Sequence, residues 1–134
     1  MPSVYLAGLP AFLAYFGSTV GLLVLFSLIY TRLTPHHEFA LIKANKSAAA
    51  VAFGGSLLGF VLPLVAAISN SVSLLDCVLW GAIALVVQMV TFFALRLFIR
   101  DLPARISNNE MASGVFVAFA SVAVGALNAA SMTW

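Results

Sequence analysis

The sequence predicts an all-α membrane protein, with four transmembrane helices arranged as two parallel-repeat helical hairpins. Three observations predict it. The first is composition: 63% of the 134 residues are hydrophobic and 7% are charged, with a mean hydropathy of +1.14. A soluble domain is roughly half apolar and about a quarter charged. This chain has too few charges to cover a globule with polar surface. The second is four long apolar runs, about Pro10–Leu33, Ser47–Ile68, Leu74–Phe98 and Met111–Met132. Each exceeds the roughly 18 residues that mark a spanning helix. The third is an echo. The stretch IKANKSAAAVAF at 42–53 returns as ISNNEMASGVFV at 106–117.

The first span opens without a charge from Met1 to Thr31. A cleavable signal peptide needs a basic start, so this run is expected to stay as a helix. Its outer end carries Phe12, Tyr15 and Phe16, with Tyr5 before them, and its inner end carries Tyr30. Trp80 and Trp134 fall at the same outer level, and Phe39 and Phe98 at the inner one. Amphipathic rings prefer these depths.

The first elbow follows. Thr34-Pro35 suits a helix start, with Thr34 as N-cap and Pro35 at the first helical position. A short interfacial helix would then turn Phe39, Leu41 and Ile42 to the membrane and His36, Glu38 and Lys43 to water. His36-His37-Glu38 is not read as a metal site. Neighbouring residues point apart on a helix, and no further ligand supports them. Asn45–Ser47 stands where the second span begins and is placed to accept from its free N–H groups. That span carries Gly55 and Gly59 as a GxxxG pair, Ser56 at mid-depth, and Pro63, which is expected to kink it and free a carbonyl.

A short loop, Ser69–Ser73, leads to the third span. Its lone cysteine, Cys77, excludes an intramolecular disulfide and reads as a small packing residue. Gln88 lies at mid-depth, within reach of Ser56 or Ser121. An interhelical hydrogen bond is favoured over a pore lining. The second elbow, RDLPARISNNE, sets Pro103 among charges, and Asn109–Glu110 again precedes a span. The fourth span has small residues, Gly114, Ala118, Ser121, Gly125 and Ala129, at three- and four-residue steps, with Asn128 near its outer end.

The echo extends along most of the chain at a constant offset of 64, without gaps. It relates Phe16 to Trp80, Gly17 to Gly81, Ser27 to Thr91, Arg32 to Arg96, Ile42 to Ile106, Asn45 to Asn109 and Ala50 to Gly114. The chain thus reads as one integral membrane domain, 1–134, with repeats at about 10–69 and 74–133. Each unit holds an even number of spans, so the copies share one orientation. They are related by an axis along the membrane normal and are not inverted. Lys46 and Glu110 are equivalent positions of opposite charge. They pair across the pseudo-twofold or between subunits, or Lys46 snorkels to lipid phosphate.

All six basic residues fall at the two elbows: Arg32, Lys43 and Lys46 at the first, and Arg96, Arg100 and Arg105 at the second. Basic residues near span ends keep loops cytoplasmic, so both termini and the 2–3 loop are expected outside. The basic balance reflects this asymmetry and not a nucleic-acid partner. Polar residues inside the spans are few: Gln88, Ser56, Ser121, Asn128, Ser27 and Thr91. No carboxylate, Lys or His lies at mid-depth, which argues against a proton-coupled carrier. We find no nucleophile–base pair, phosphate loop or paired carboxylates, so no enzyme, catalytic residue, metal or cofactor is expected. The GxxxG pairs, Gly17/Gly21 and Gly55/Gly59, offer more small faces than one bundle needs, which points to a homo-oligomer. Tight packing within one chain is the alternative.

The residues TPHHEFALIKANKSAAAVAFGGSLLGFVLPL and the ending NAASMTW resemble the YjfL-like bacterial inner-membrane proteins, the domain of unknown function 350 family. The likeness covers nearly the whole chain. It departs where the family tends to have an Asn before the Ala pair, since Lys46 and Glu110 stand there. The resemblance implies a protein of the inner (plasma) membrane, without an assigned substrate or reaction. It also implies possible partners, an envelope-stress coat protein and an amide-forming ligase. The function expected is a structural or interaction subunit in envelope maintenance. Its basic elbows would bind membrane lipids or a cytosolic partner. The alternative is a small oligomeric channel or permease lined by Ser27, Thr91, Gln88, Ser56 and Ser121.

Overall fold

The computed structural model describes residues 6–33 and 38–132. Among the described residues the main helices follow in order: α1 Leu9–Leu33, α2 Glu38–Lys43, α3 Ser47–Asn70, α4 Leu74–Phe98, α5 Leu102–Ser107 and α6 Met111–Ser131. Among the described residues α1, α3, α4 and α6 are long and apolar enough to cross a membrane. The shortest, α6, has 21 residues and spans roughly 31 Å at about 1.5 Å per residue. That matches a hydrocarbon core of roughly 30 Å. The expected spans agree with these bounds to within two residues. The start proposed at Thr34-Pro35 and the His36-His37 pair lie outside the described residues.

The closest pair is α3 with α6, and glycine explains the closeness. An added Cβ at Gly114 would lie 2.5 Å from the Ala48 carbonyl oxygen. One at Gly55 would meet Ala118, one at Gly59 the Ser121 carbonyl, and one at Gly125 the Gly59 carbonyl. Partner numbers rise together along both helices, so α3 and α6 run parallel. Lipid supplies no hydrophobic drive between helices, so such backbone approach is what holds them. The Gly17/Gly21 pair behaves differently. Nothing lies within 4 Å of a Cβ added at either position, so this GxxxG has no role within the described bundle.

Aromatic rings fill the space where α1, α3 and α4 meet. Phe26 stacks on Phe60 with centroids 4.9 Å apart, Tyr30 on Phe53 at 5.3 Å, and Tyr30 meets Phe92 edge-on at 5.0 Å. Rings at these separations add packing energy beyond their area. Among the spans α1 is the least buried, and it makes no substantial contact with α6.

The elbows are alike in backbone. Asn45 and Asn109 both take the left-handed conformation, φ 64° and 59°. Asn45 N–H donates to the Ile42 carbonyl at 3.0 Å, and Lys46 N–H to that of Leu41 at 2.9 Å. Asn109 N–H donates to the Ile106 carbonyl and Glu110 N–H to that of Arg105, both at 3.0 Å. Each is a Schellman ending of a short helix, and Asn is the usual alternative to Gly there. Here an expectation is corrected. The N-caps of α3 and α6 are Lys46 and Glu110, and neither makes a side-chain cap bond. The asparagines end the preceding short helices and do not cap the spans that follow them.

The short helices also differ from the interfacial picture. In α5, Leu102 and Ile106 are fully buried against Ala49, Ala52 and Val117. In α2, Leu41 and Ile42 pack on the bundle and not on lipid alone. The far end is closed by Ser73, which caps α4. Asp76 N–H donates to Ser73 Oγ at 3.1 Å, which caps the helix, and Val72 N–H, one residue before the cap, donates to Asp76 Oδ2 at 3.2 Å.

Candidate functional site

Two polar regions emerge: a node at mid-depth and a basic end formed by the elbows. The node is built on Pro63. Proline has no N–H, so the carbonyl four residues earlier, that of Gly59, lacks its helical partner. In α3 that carbonyl faces α4, and Gln88 answers it. Gln88 Nε2 donates to the Gly59 carbonyl at 3.2 Å and to the Ser121 carbonyl at 3.2 Å. One buried amide thus ties α4 to α3 and α6. Beside it Ser56 Oγ donates to the Ala52 carbonyl at 2.8 Å and lies 3.5 Å from Ser121 Oγ. Gln88, Ser56 and Ser121 are all buried. Expected reach from Gln88 to Ser121 is met, through the backbone carbonyl and not the hydroxyl.

The remaining intramembrane polar residues turn to their own helices. Ser27 Oγ donates to the Leu23 carbonyl at 3.0 Å, and Thr91 Oγ1 to that of Val87 at 2.8 Å. Such back-bonding satisfies a hydroxyl in lipid without any partner helix. Asn128 differs, since its Nδ2 is buried with no hydrogen-bond partner among the described residues. Hollows open on the outside of the bundle. One between α1 and α3 is lined by Phe16, Thr19, Val61 and Leu64, and one along α4 by Asp76, Trp80 and Ile83. Neither includes Gln88, Ser56 or Ser121. Cys77 is buried beside Ala67 and Met132, as a packing residue would be.

At the elbow end Arg32, Lys43, Lys46, Arg100 and Arg105 are exposed and Arg96 is half-buried. Within the chain Lys46 and Glu110 do not pair. Glu110 lies 3.7 Å from Arg105 of its own elbow, with both side chains about half exposed, so the pair contributes little. Arg105 Nε also donates to the Arg100 carbonyl at 2.9 Å. A polar hollow of about 310 Å³ opens between Arg96 and Asp101. The N-termini of α3 and α6 lie side by side at this end, and their macrodipoles add to its positive field.

Asn109 does what sequence reasoning missed. Its Oδ1 accepts from Ala48 N–H at 2.9 Å. The second elbow therefore caps the helix of the first hairpin, satisfying one of the free N–H groups of α3. Sequence named Asn109, Pro63 and Gln88 separately. The signal linking the last two was present, because the residue four before Pro63 is a glycine on a neighbouring span.

A family model described as Domain of Unknown Function (DUF350) matches residues 3–132. The chain is similar to the UPF0719 inner membrane protein YjfL of Escherichia coli strain K12, 46% identical over 129 residues, covering 96% of this chain and 98% of that one. It is equally similar to the protein of the same name in Escherichia coli O157:H7. No solved structure matches.

Proposed function

Since the chain belongs to the DUF350 family and is a multi-pass inner-membrane protein, we propose that it is a non-enzymatic structural or interaction subunit. Its working surface is the basic elbow end, facing the cytoplasm, with both termini outside. The observation that carries this reading is the contrast between the two polar regions. Inside the membrane Gln88, Ser27, Thr91 and Ser56 donate to backbone carbonyls. At the elbows Lys43, Lys46 and Arg100 are exposed. Cations held at a membrane surface attract anionic lipid headgroups, each by about 1 kcal/mol. A role in envelope maintenance fits a protein that gathers anionic lipid or a coat protein at that surface. The chain reads as a duplicated hairpin. The matching Schellman bonds and the left-handed Asn45 and Asn109, all at the offset of 64, support this. A channel would require Gln88 to leave two carbonyls unanswered in lipid, so we favour the structural role.

The test is lipid preference. In nanodiscs that mix phosphatidylglycerol with phosphatidylethanolamine, native mass spectrometry counts the lipids retained. The wild-type chain is expected to retain phosphatidylglycerol preferentially. Replacing Lys43, Lys46 and Arg100 by Gln is expected to weaken that preference by roughly fivefold per residue at low salt. Equal retention of both lipids by wild type and variant would overturn the proposal.

A further inference from the structure

We propose that a second copy of this chain packs its α6 against the outer face of α1. The inference rests on the duplicated-hairpin reading. In α4 one stripe is buried: Cys77, Gly81, Ala84, Gln88 and Phe92. It packs on both α3 and α1: Gln88 bonds the Gly59 carbonyl of α3, and an added Cβ at Gly81 would lie 2.5 Å from Leu22 of α1 and 3.2 Å from Leu64 of α3. At the offset of 64 the same stripe in α1 is Leu13, Gly17, Val20, Val24 and Leu28. All five are exposed, Leu13 at 57% and Leu28 at 55%.

The complementary face is open too. In α3 the residues Gly59, Pro63 and Ala67 are buried. Their equivalents in α6, namely Ala123, Leu127 and Ser131, are exposed. The two repeats define two equivalent interfaces, α4 on α3 and α1 on α6. The first is made within the chain. The second is not, because α1 leans on α3 and α4 and leaves the Ala123, Leu127 and Ser131 face of α6 uncovered. A neighbouring copy supplies the missing half and continues around the bundle the interface that α4 and α3 already form. Glycine usage agrees. Glycine weakens a helix unless close approach makes use of it. Gly55, Gly59, Gly81, Gly114 and Gly125 all meet a neighbour, whereas Gly17, Gly21 and Gly54 meet none among the described residues, and two of these three lie on α1, with Gly17 in the open stripe.

Single-cysteine chains in a Cys77→Ala background test this. Val24 and Ala123 are the equivalents of Gln88 and Gly59, which touch. Chains carrying Val24→Cys and chains carrying Ala123→Cys, reconstituted together at high lipid dilution, are expected to cross-link with a short bismaleimide. Adding Gly17→Ile to the first chain is expected to cut the yield at least tenfold while leaving the melting of the single bundle unchanged, since no neighbour lies there to be displaced. A yield no higher than random collision, or a stronger Val24–Val24 product, would overturn the proposal. So would a Gly17→Ile chain that cross-links as well as its parent. The lipid preference of the elbows is read separately, so loss of that preference with the cross-link intact would sink the functional reading alone.

Discussion

Gln88 donates to the carbonyl of Gly59 at 3.2 Å, the carbonyl that Pro63 deprives of its helical partner. A helix break in one span is thus repaired by the side chain of the next. In lipid no water stands ready to do so. The repair also reaches Ser121 on α6, so three helices meet at one amide.

The relationship predicts a coupled pair. Gln88→Leu should destabilise the fold by about 1 kcal/mol, and by no more than about 2 kcal/mol, the scale of interhelical bonds in membranes. In a Pro63→Ala background the Gly59 carbonyl regains an N–H partner, and the same substitution should cost less. A double-mutant cycle read by unfolding in mixed micelles should show coupling of at least about 0.5 kcal/mol. Additive effects would disprove the repair.

Glycines in the two GxxxG pairs should respond oppositely to alanine. Gly59→Ala forces a methyl group onto the Ser121 carbonyl and should cost about 1–3 kcal/mol by overpacking. Gly17→Ala meets nothing and should leave the isolated bundle unchanged or gain up to about 1 kcal/mol from helix propensity. Thermal unfolding of detergent-solubilised single chains measures both.

The two elbow asparagines should separate under glycine substitution. Glycine accepts the left-handed conformation of either site without strain. Asn45→Gly should then be close to neutral. Asn109→Gly also loses the bond to Ala48 N–H and should cost about 1 kcal/mol, as a lost cap does. Equal effects at both sites would remove the cross-hairpin cap from the account.

Much of this was legible in the sequence. Span positions followed from apolar run length, because lipid thickness leaves little freedom there. The elbows followed from Asn45, Asn109 and the clustered Lys and Arg residues. What was not legible was register between spans. Pro63 and Gln88 were each visible as polar irregularities, yet only the packing of α4 on α3 brings one to the other. The same holds for Asn109, whose side chain crosses to α3 and passes by its own α6. The unused Gly17/Gly21 pair looked equivalent to Gly55/Gly59 because a motif carries no information about which face meets a partner. The ring cluster of Phe26, Tyr30, Phe53, Phe60 and Phe92 was missed for a related reason. These rings are spread over three spans, and lipid-facing and core-facing aromatics read alike in so apolar a chain.

Sidedness gives a further prediction. With the elbows cytoplasmic, Val72→Cys, at a loop position 90% exposed, should react with a membrane-impermeant maleimide in intact spheroplasts, and Lys46→Cys should react only after the membrane is opened, both in a Cys77→Ala background. The reverse pattern would place the basic end outside and remove its access to a cytosolic partner.

The central claim is that the spans form a closed structural bundle whose business is at its basic end. Flux through proteoliposomes tests it most directly. Vesicles loaded with an ion-sensitive dye and carrying the purified chain should leak no faster than protein-free vesicles, and Gln88→Leu should change nothing. Saturable flux above the protein-free rate, lost in Gln88→Leu, would contradict the account and make Gln88 part of a conducting path.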